Sequence, residues 1–172
     1  MRRLIGPLSA GVVACAISAT FTVPADAREM VHFQENYSAG TIVVKTSQRK
    51  LYYVLGNGTA IRYPVGVGRP GKAWVGSAYI TGKHWQPAWA PPAEVRRDKP
   101  SLPSMIPGGS PSNPMGVAAL TLSGGGEYAI HGTNQPDSIG GFVSYGCIRM
   151  HNADVTDLYG RVGVGTTVVV TR

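Results

Sequence analysis

The chain has 172 residues, 43% of them hydrophobic, and a formal net charge of +7. That length suits one ordinary domain with a real core, and no repeat, low-complexity tract or appended wall-binding module is visible. A basic balance fits nucleic acid, an anionic membrane surface or an acidic wall polymer. No nucleic-acid motif or basic-aromatic stripe is present, which argues against the first; that the charge simply keeps the chain soluble stays open.

Met1-Arg2-Arg3 is a short basic start, Leu4 to Val23 is mostly apolar and small, and Ala25-Asp26-Ala27 fits the small-x-small cleavage rule. Residues 1–27 therefore read as a secretory signal peptide, with the mature chain starting at Arg28 and residing in the periplasm or cell envelope. Two alternatives compete with this: an uncleaved membrane anchor, and a lipoprotein processed at Cys15, since Val12-Val13-Ala14-Cys15 loosely fits a lipoprotein box. The continuing apolar run and the later Ala-x-Ala site favour cleavage after Ala27. Removing residues 1–27, with two arginines and one aspartate, lowers the charge from +7 to +6.

Residues 28–40 are polar and read as a short irregular leader, with the domain over 41–172. Thr41 to Thr46 is rich in β-branched residues. Lys50 to Leu55 and Thr59 to Val65 flank Gly56-Asn57-Gly58, and an Asn-Gly pair between β-type runs signals a hairpin. Ser77 to Trp85 reads as a strand. Residues 86–116 are rich in Pro and Gly, which predicts a long structured loop of the kind that walls a binding site. Val117 to Leu122 and Glu127 to His131 form a second hairpin, placing His131 at a strand end. Asn152 to Val162 is the best helix, with Asn152 as cap and Val155, Leu158 and Val162 on one side. Thr166 to Thr171 is a closing strand. The fold is mainly β.

The chemistry lies in the last third. His131-Gly132-Thr133-Asn134 is followed by Ser144-Tyr145-Gly146-Cys147-Ile148-Arg149-Met150, and fifteen residues separate His131 from Cys147. Cys147 is the only cysteine left after signal cleavage. A lone thiol in an exported protein is buried, paired with another molecule, or a nucleophile. The nearby histidine supplies a base that can hold it as thiolate, and the preceding glycine lets the backbone turn its amides toward a substrate oxygen.

These residues resemble the active-site signature of the L,D-transpeptidases, the YkuD-domain family. Gln135 to Gly140 is similar to the family's loop, Asn152 to Tyr159 to its following helix, and Leu51 to Val54 with Tyr63 to Gly68 to its opening hairpin, so the resemblance covers roughly residues 41–171. It implies a β-sandwich-like catalytic domain with one helix after the nucleophile loop. It also implies Cys147 as nucleophile and His131 as general base, oriented by a backbone carbonyl, for which Gly132 is the candidate. Neither Asp137 nor Asp154 is assigned to a triad. The N–H groups of Gly146 and Cys147 are candidates for the oxyanion hole. Ser144 corresponds to the family's Ser/Thr and braces the loop; Arg149 braces it or binds a substrate carboxylate. Tyr145 departs from the histidine that many members carry there.

The resemblance implies peptidoglycan stem peptides as donor substrate, with a second stem or a wall-anchored lipoprotein as amine acceptor, no cofactor and no nucleic-acid partner; a monomer is expected. Transfer to water would make the protein an L,D-carboxypeptidase or hydrolase, and a non-catalytic wall-binding domain is the competing class. His84, His131 and His151 with Cys147 could be imagined as a zinc site, but neither Cys-x-x-Cys nor His-Glu-x-x-His accompanies them, so no metal is expected. Trp74, Trp85 and Trp89 are candidates for a cleft wall or for packing.

Overall fold

A computed structural model of the chain describes residues 28–124 and 127–172. The proposed signal peptide, residues 1–27, lies outside them. Among the described residues, no helix is long and apolar enough to cross a membrane.

The seven predicted strands form in order, and four short ones that the sequence did not announce join them. The strands are β1 (Glu29–His32), β2 (Ile42–Lys45), β3 (Lys50–Gly56), β4 (Thr59–Pro64), β5 (Val67–Gly68), β6 (Gly76–Trp85), β7 (Ala118–Leu122), β8 (Ala129–His131), β9 (Phe142–Ser144), β10 (Ile148–Arg149) and β11 (Thr167–Thr171). Among the described residues two α-helices join them, α1 (Ala93–Asp98) and α2 (Asn152–Arg161). Nine strands make one sheet in the order β1-β4-β3-β2-β11-β6-β7-β8-β10, while β5 and β9 pair separately in parallel. The β3–β4 hairpin turns through Asn57 and Gly58 at φ 52° and 71°. Successive left-handed residues are what a tight two-residue hairpin turn needs, and Asn and Gly adopt them at least cost.

β6 joins the two halves of the sheet. Its first residues pair with β11 and its last with β7, and the register shifts between Ile80 and Gly82. Such an irregularity bends a strand, so both halves face one core. Ile42, Val44, Leu51 and Tyr63 of one half meet Ile80, Leu120, Ile130 and Ile148 of the other, together with Val155 and Leu158 of α2. Each is essentially inaccessible, and burying an aliphatic chain of this size stabilises by about 1.5–3 kcal/mol.

Residues 28–40 are irregular only in part. Glu29–His32 pairs antiparallel with Thr59–Arg62 of β4, and Phe33 and Tyr37 pack with Val43, Tyr52, Val54 and Ala60 on the other face of the sheet. The four residues of β1 carry no alternation of their own. The open edge of β4 makes them a strand, and that pairing is invisible to local pattern.

Candidate active site

His131 and Cys147 come together through the ladder between β8 and β10. These strands run parallel, with Ile148 opposite Ile130 and Arg149 opposite His131. Side chains alternate between faces, so Ile130 and Ile148 enter the core while His131, Cys147 and Arg149 share the other face. There they line one cavity of about 320 Å³ with Ser144, Tyr145 and Tyr128. Residues 86–116 supply the facing wall through Trp89, Pro92 to Val95, Pro114 and Met115.

That wall is a structured loop, as its Pro and Gly content predicts, and it also carries a short helix. Trp89 and Ile106 exchange backbone bonds at 2.8 Å in both directions. Asn113, 1% exposed, donates from its amide to the carbonyls of Pro87 and Pro107 and accepts from the Met115 N–H at 2.9 Å. One buried side chain thus satisfies both limbs of the loop. α1 sits in its middle and is tied to the nucleophile loop. Asp98 accepts from the Tyr145 hydroxyl at 2.8 Å and from Arg69 at 2.9 Å, and Arg69 lies 3.9 Å over the Tyr145 ring. Glu94 forms ion pairs with Lys72 and Arg97. Tyr145 therefore serves as an anchor for α1. Of the three tryptophans, Trp89 lines the cavity, Trp74 stacks on Tyr128, and Trp85 packs edge-on against Tyr159.

His131 is 4% exposed, and its Nδ1 lies 2.6 Å from the Gly132 carbonyl oxygen. A carbonyl only accepts, so Nδ1 carries the proton and Nε2 presents a lone pair. Burial lowers the imidazole pKa to about 4, opposed by the Gly132 bond and reinforced by the Arg149 charge. Burial also pushes the Cys147 thiol up, opposed by a hydrogen bond from the Ala129 backbone and by Arg149. Both directions favour a neutral thiol beside a neutral imidazole, which differs from the resting thiolate expected from sequence. The Cys147 Sγ lies 3.7 Å from the Glu127 carbonyl oxygen, within reach of a weak thiol hydrogen bond.

Ser144 braces the loop from inside. Its Oγ donates to the Cys147 carbonyl at 2.6 Å and accepts from the Gly146 N–H at 3.0 Å. The Gly146 N–H, a sequence candidate for the oxyanion hole, is therefore already engaged. Gly146 has φ +125°, and a Cβ there would fall 2.3 Å from Tyr128 Cε1, so only glycine fits beneath that ring. Arg149 exchanges backbone bonds with Gly66 at 2.9 and 2.8 Å and points Nη1 at the Ser138 hydroxyl at 3.4 Å, while its buried Nε has no hydrogen-bond partner among the described residues.

Asn152 does not cap α2. The cap position is His151, and Asn152 is the first helical residue. Its Oδ1 accepts from the N–H groups of Thr133 (3.0 Å) and Val117 (3.3 Å), and its Nδ2 donates to the Thr133 carbonyl (3.1 Å). This fastens the turn after His131 to the start of α2. Asn at a helix start reads as a cap on local rules, so its role here escaped the sequence, as did those of Trp74 and Asp98. Among the described residues, no group of three His, Cys, Asp or Glu side chains could hold a metal ion.

The domain is mainly β, and a histidine at the end of β8 and a cysteine just before β10 line one cavity. The L,D-transpeptidase catalytic-domain (YkuD) family matches residues 39–170, and the chain belongs to that family. Among its relatives, the probable L,D-transpeptidase ErfK/SrfK of Salmonella typhimurium is 41% identical over 138 residues, 75% of this chain and 43% of that protein. The probable L,D-transpeptidase YbiS of Escherichia coli K12 is 39% identical over 137 residues, with the same coverage. The chain thus spans less than half the length of the curated relatives it matches. The fold is shared with the crystal structure of L,D-transpeptidase 3 from Mycobacterium tuberculosis in complex with a faropenem-derived adduct. The TM-score is 0.57 at 19% identity, covering 77% of this chain and 60% of that one.

Proposed function

We propose that this protein is a peptidoglycan L,D-transpeptidase that forms an acyl-thioester on Cys147. The observation that carries this reading is the pairing of β8 with β10, which sets His131, Cys147 and Arg149 on one face of a single cavity with the His131 Nδ1 already occupied. The donor is a stem tetrapeptide. Sγ attacks the carbonyl of its third residue as the thiol proton passes to His131 Nε2. The tetrahedral adduct collapses with cleavage of the C–N bond, His131 returns the proton to the leaving amine, and a terminal D-amino acid departs. An acceptor amine then attacks the thioester. Its proton passes through His131 to Sγ as the new amide forms.

Because the Gly146 N–H bonds to Ser144, the Cys147 N–H is the better oxyanion donor of the two. Arg149 braces the loop through Ser138 and offers a cation to stem carboxylates. The test is mass spectrometry of the products after mixing protein with tetrapeptide-stem muropeptides, alone and with an amine-bearing lipoprotein peptide. Crosslinked dimers identify a second stem as acceptor, a lipopeptide conjugate identifies a lipoprotein, and a tripeptide stem identifies water. Unchanged tetrapeptide in both mixtures would refute the reading. Export is part of the same proposal. N-terminal sequencing of secreted protein is expected to begin at Arg28, and a lipid-modified start at Cys15 would overturn it.

A further inference from the structure

Trp74 lies outside the cavity yet touches the nucleophile loop at one chemically specific point. Its indole N–H donates to the carbonyl oxygen of Gly146 at 3.0 Å. The ring lies flat on Tyr128, with centroids 5.2 Å apart and an interplanar angle of 6°, and Tyr128 closes over the bare Cα of Gly146. The segment that carries Trp74 is tied to the same loop, since the Arg69 N–H donates to the Ser144 carbonyl at 2.9 Å. Nothing in the chemistry proposed for His131 and Cys147 uses the indole.

The Gly146 carbonyl and the Cys147 N–H belong to one planar peptide unit and point in opposite directions across it. A donor that fixes the carbonyl therefore fixes the N–H. On the far side of that unit, the Ser144 hydroxyl holds the Cys147 carbonyl. Glycine at 146 frees the peptide to rotate, so an external tether is what selects one orientation.

We infer that Trp74 is a positioning residue for acyl transfer: by holding the Gly146 carbonyl it turns the Cys147 N–H toward the cavity as an oxyanion donor. This rests on the reading of Cys147 as nucleophile. It predicts a separation between two reactions of the same thiol. Acylation by a carbapenem passes through a tetrahedral oxyanion and needs the donor, whereas alkylation by iodoacetamide displaces iodide and forms no oxyanion.

The variant Trp74→Phe keeps a ring on Tyr128 and removes the N–H. Benzothienylalanine at position 74 keeps the whole bicyclic shape with sulfur in place of N–H, and guards against a packing defect in the phenylalanine variant. For both, the acylation rate is expected to fall about tenfold to a hundredfold. That is less than the ~10²–10³ of deleting a donor outright, because the peptide is mis-aimed and not absent. Alkylation of Cys147 is expected to stay within about twofold of wild type, on the order of the experimental scatter, and the unfolding midpoint of the benzothienylalanine protein to be unchanged. Wild-type acylation rates in both variants, or acylation and alkylation falling together in both, would overturn the role given to Trp74. A wild-type protein that forms no carbapenem adduct at Cys147 would remove the reading on which it rests.

Discussion

Cys147→Ala is expected to abolish transpeptidation while leaving the domain folded. The substitution removes one sulfur at a part-buried position in a loop that the Ser144 hydroxyl holds through the Gly146 N–H and the Cys147 carbonyl, and it introduces no bulk. A covalent mechanism has no route around its nucleophile, so turnover should fall by on the order of 10⁶-fold or to the detection limit. The same thiol should be the single site of acylation by carbapenems. Intact-protein mass spectrometry is expected to show one added drug mass, absent from the Cys147→Ala protein. An adduct that persists in that variant, or product formation at the wild-type rate, would show that another group carries the reaction.

His131 gives the second large effect, and its pH signature separates base catalysis from a structural role. His131→Ala should lower acylation by about 10²–10⁴, the usual contribution of a positioned base. With the imidazole pKa held at about 4 by burial, the base stays deprotonated well below the pH where a free histidine would be lost. The acid limb of the wild-type acylation rate should therefore centre near pH 4 and not near 6.5. The raised thiol pKa should leave the profile flat through neutrality. Stability follows with a definite sign. The unfolded chain takes up the proton near pH 6.5 and the folded chain only near 4, so the unfolded state binds more protons in between. The contribution of neutral His131 is complete above pH 6.5 and is lost as pH falls to 4, a total of about 3 kcal/mol. Denaturant titrations of wild type and His131→Gln across that window should converge at low pH; parallel curves would contradict the buried neutral imidazole.

What the sequence revealed, and what it hid, divides by range of interaction. The β3–β4 hairpin was legible because Asn57-Gly58 encodes its own turn, and α2 because Val155 and Leu158 recur at helical spacing. The His131 and Cys147 pair was legible as a motif because fixed strand geometry demands fixed residue types. Hidden features depend on partners distant in the chain. β1 exists because β4 has a free edge, and the two-residue β5 because β9 lies beside it. Asn152 presents an ordinary capping residue to a local rule, but its side chain finds Val117 and Thr133, 35 and 19 residues away. α1 is short and carries a single buried residue, Val95, so no apolar stripe announces it. Its position over the cavity is set by Asp98, Tyr145 and Arg69, which sequence spacing does not connect.

The placement of β11 has a kinetic meaning. This last strand lies in the interior of the sheet, parallel to β2 and antiparallel to β6, with Val168 opposite both Ile42 and Ala78. The earlier strands can pair locally as hairpins, but the two halves cannot zip into one sheet until residues 167–171 are available. Closing β2 against β11 spans well over a hundred residues, an entropic cost that falls before any long-range contact offsets it. The domain therefore closes its sheet only once residues 167–171 are available, not progressively from β1 onward. Until β11 arrives the two halves hold only short-range pairings, which on their own are marginal in water and easily pulled straight.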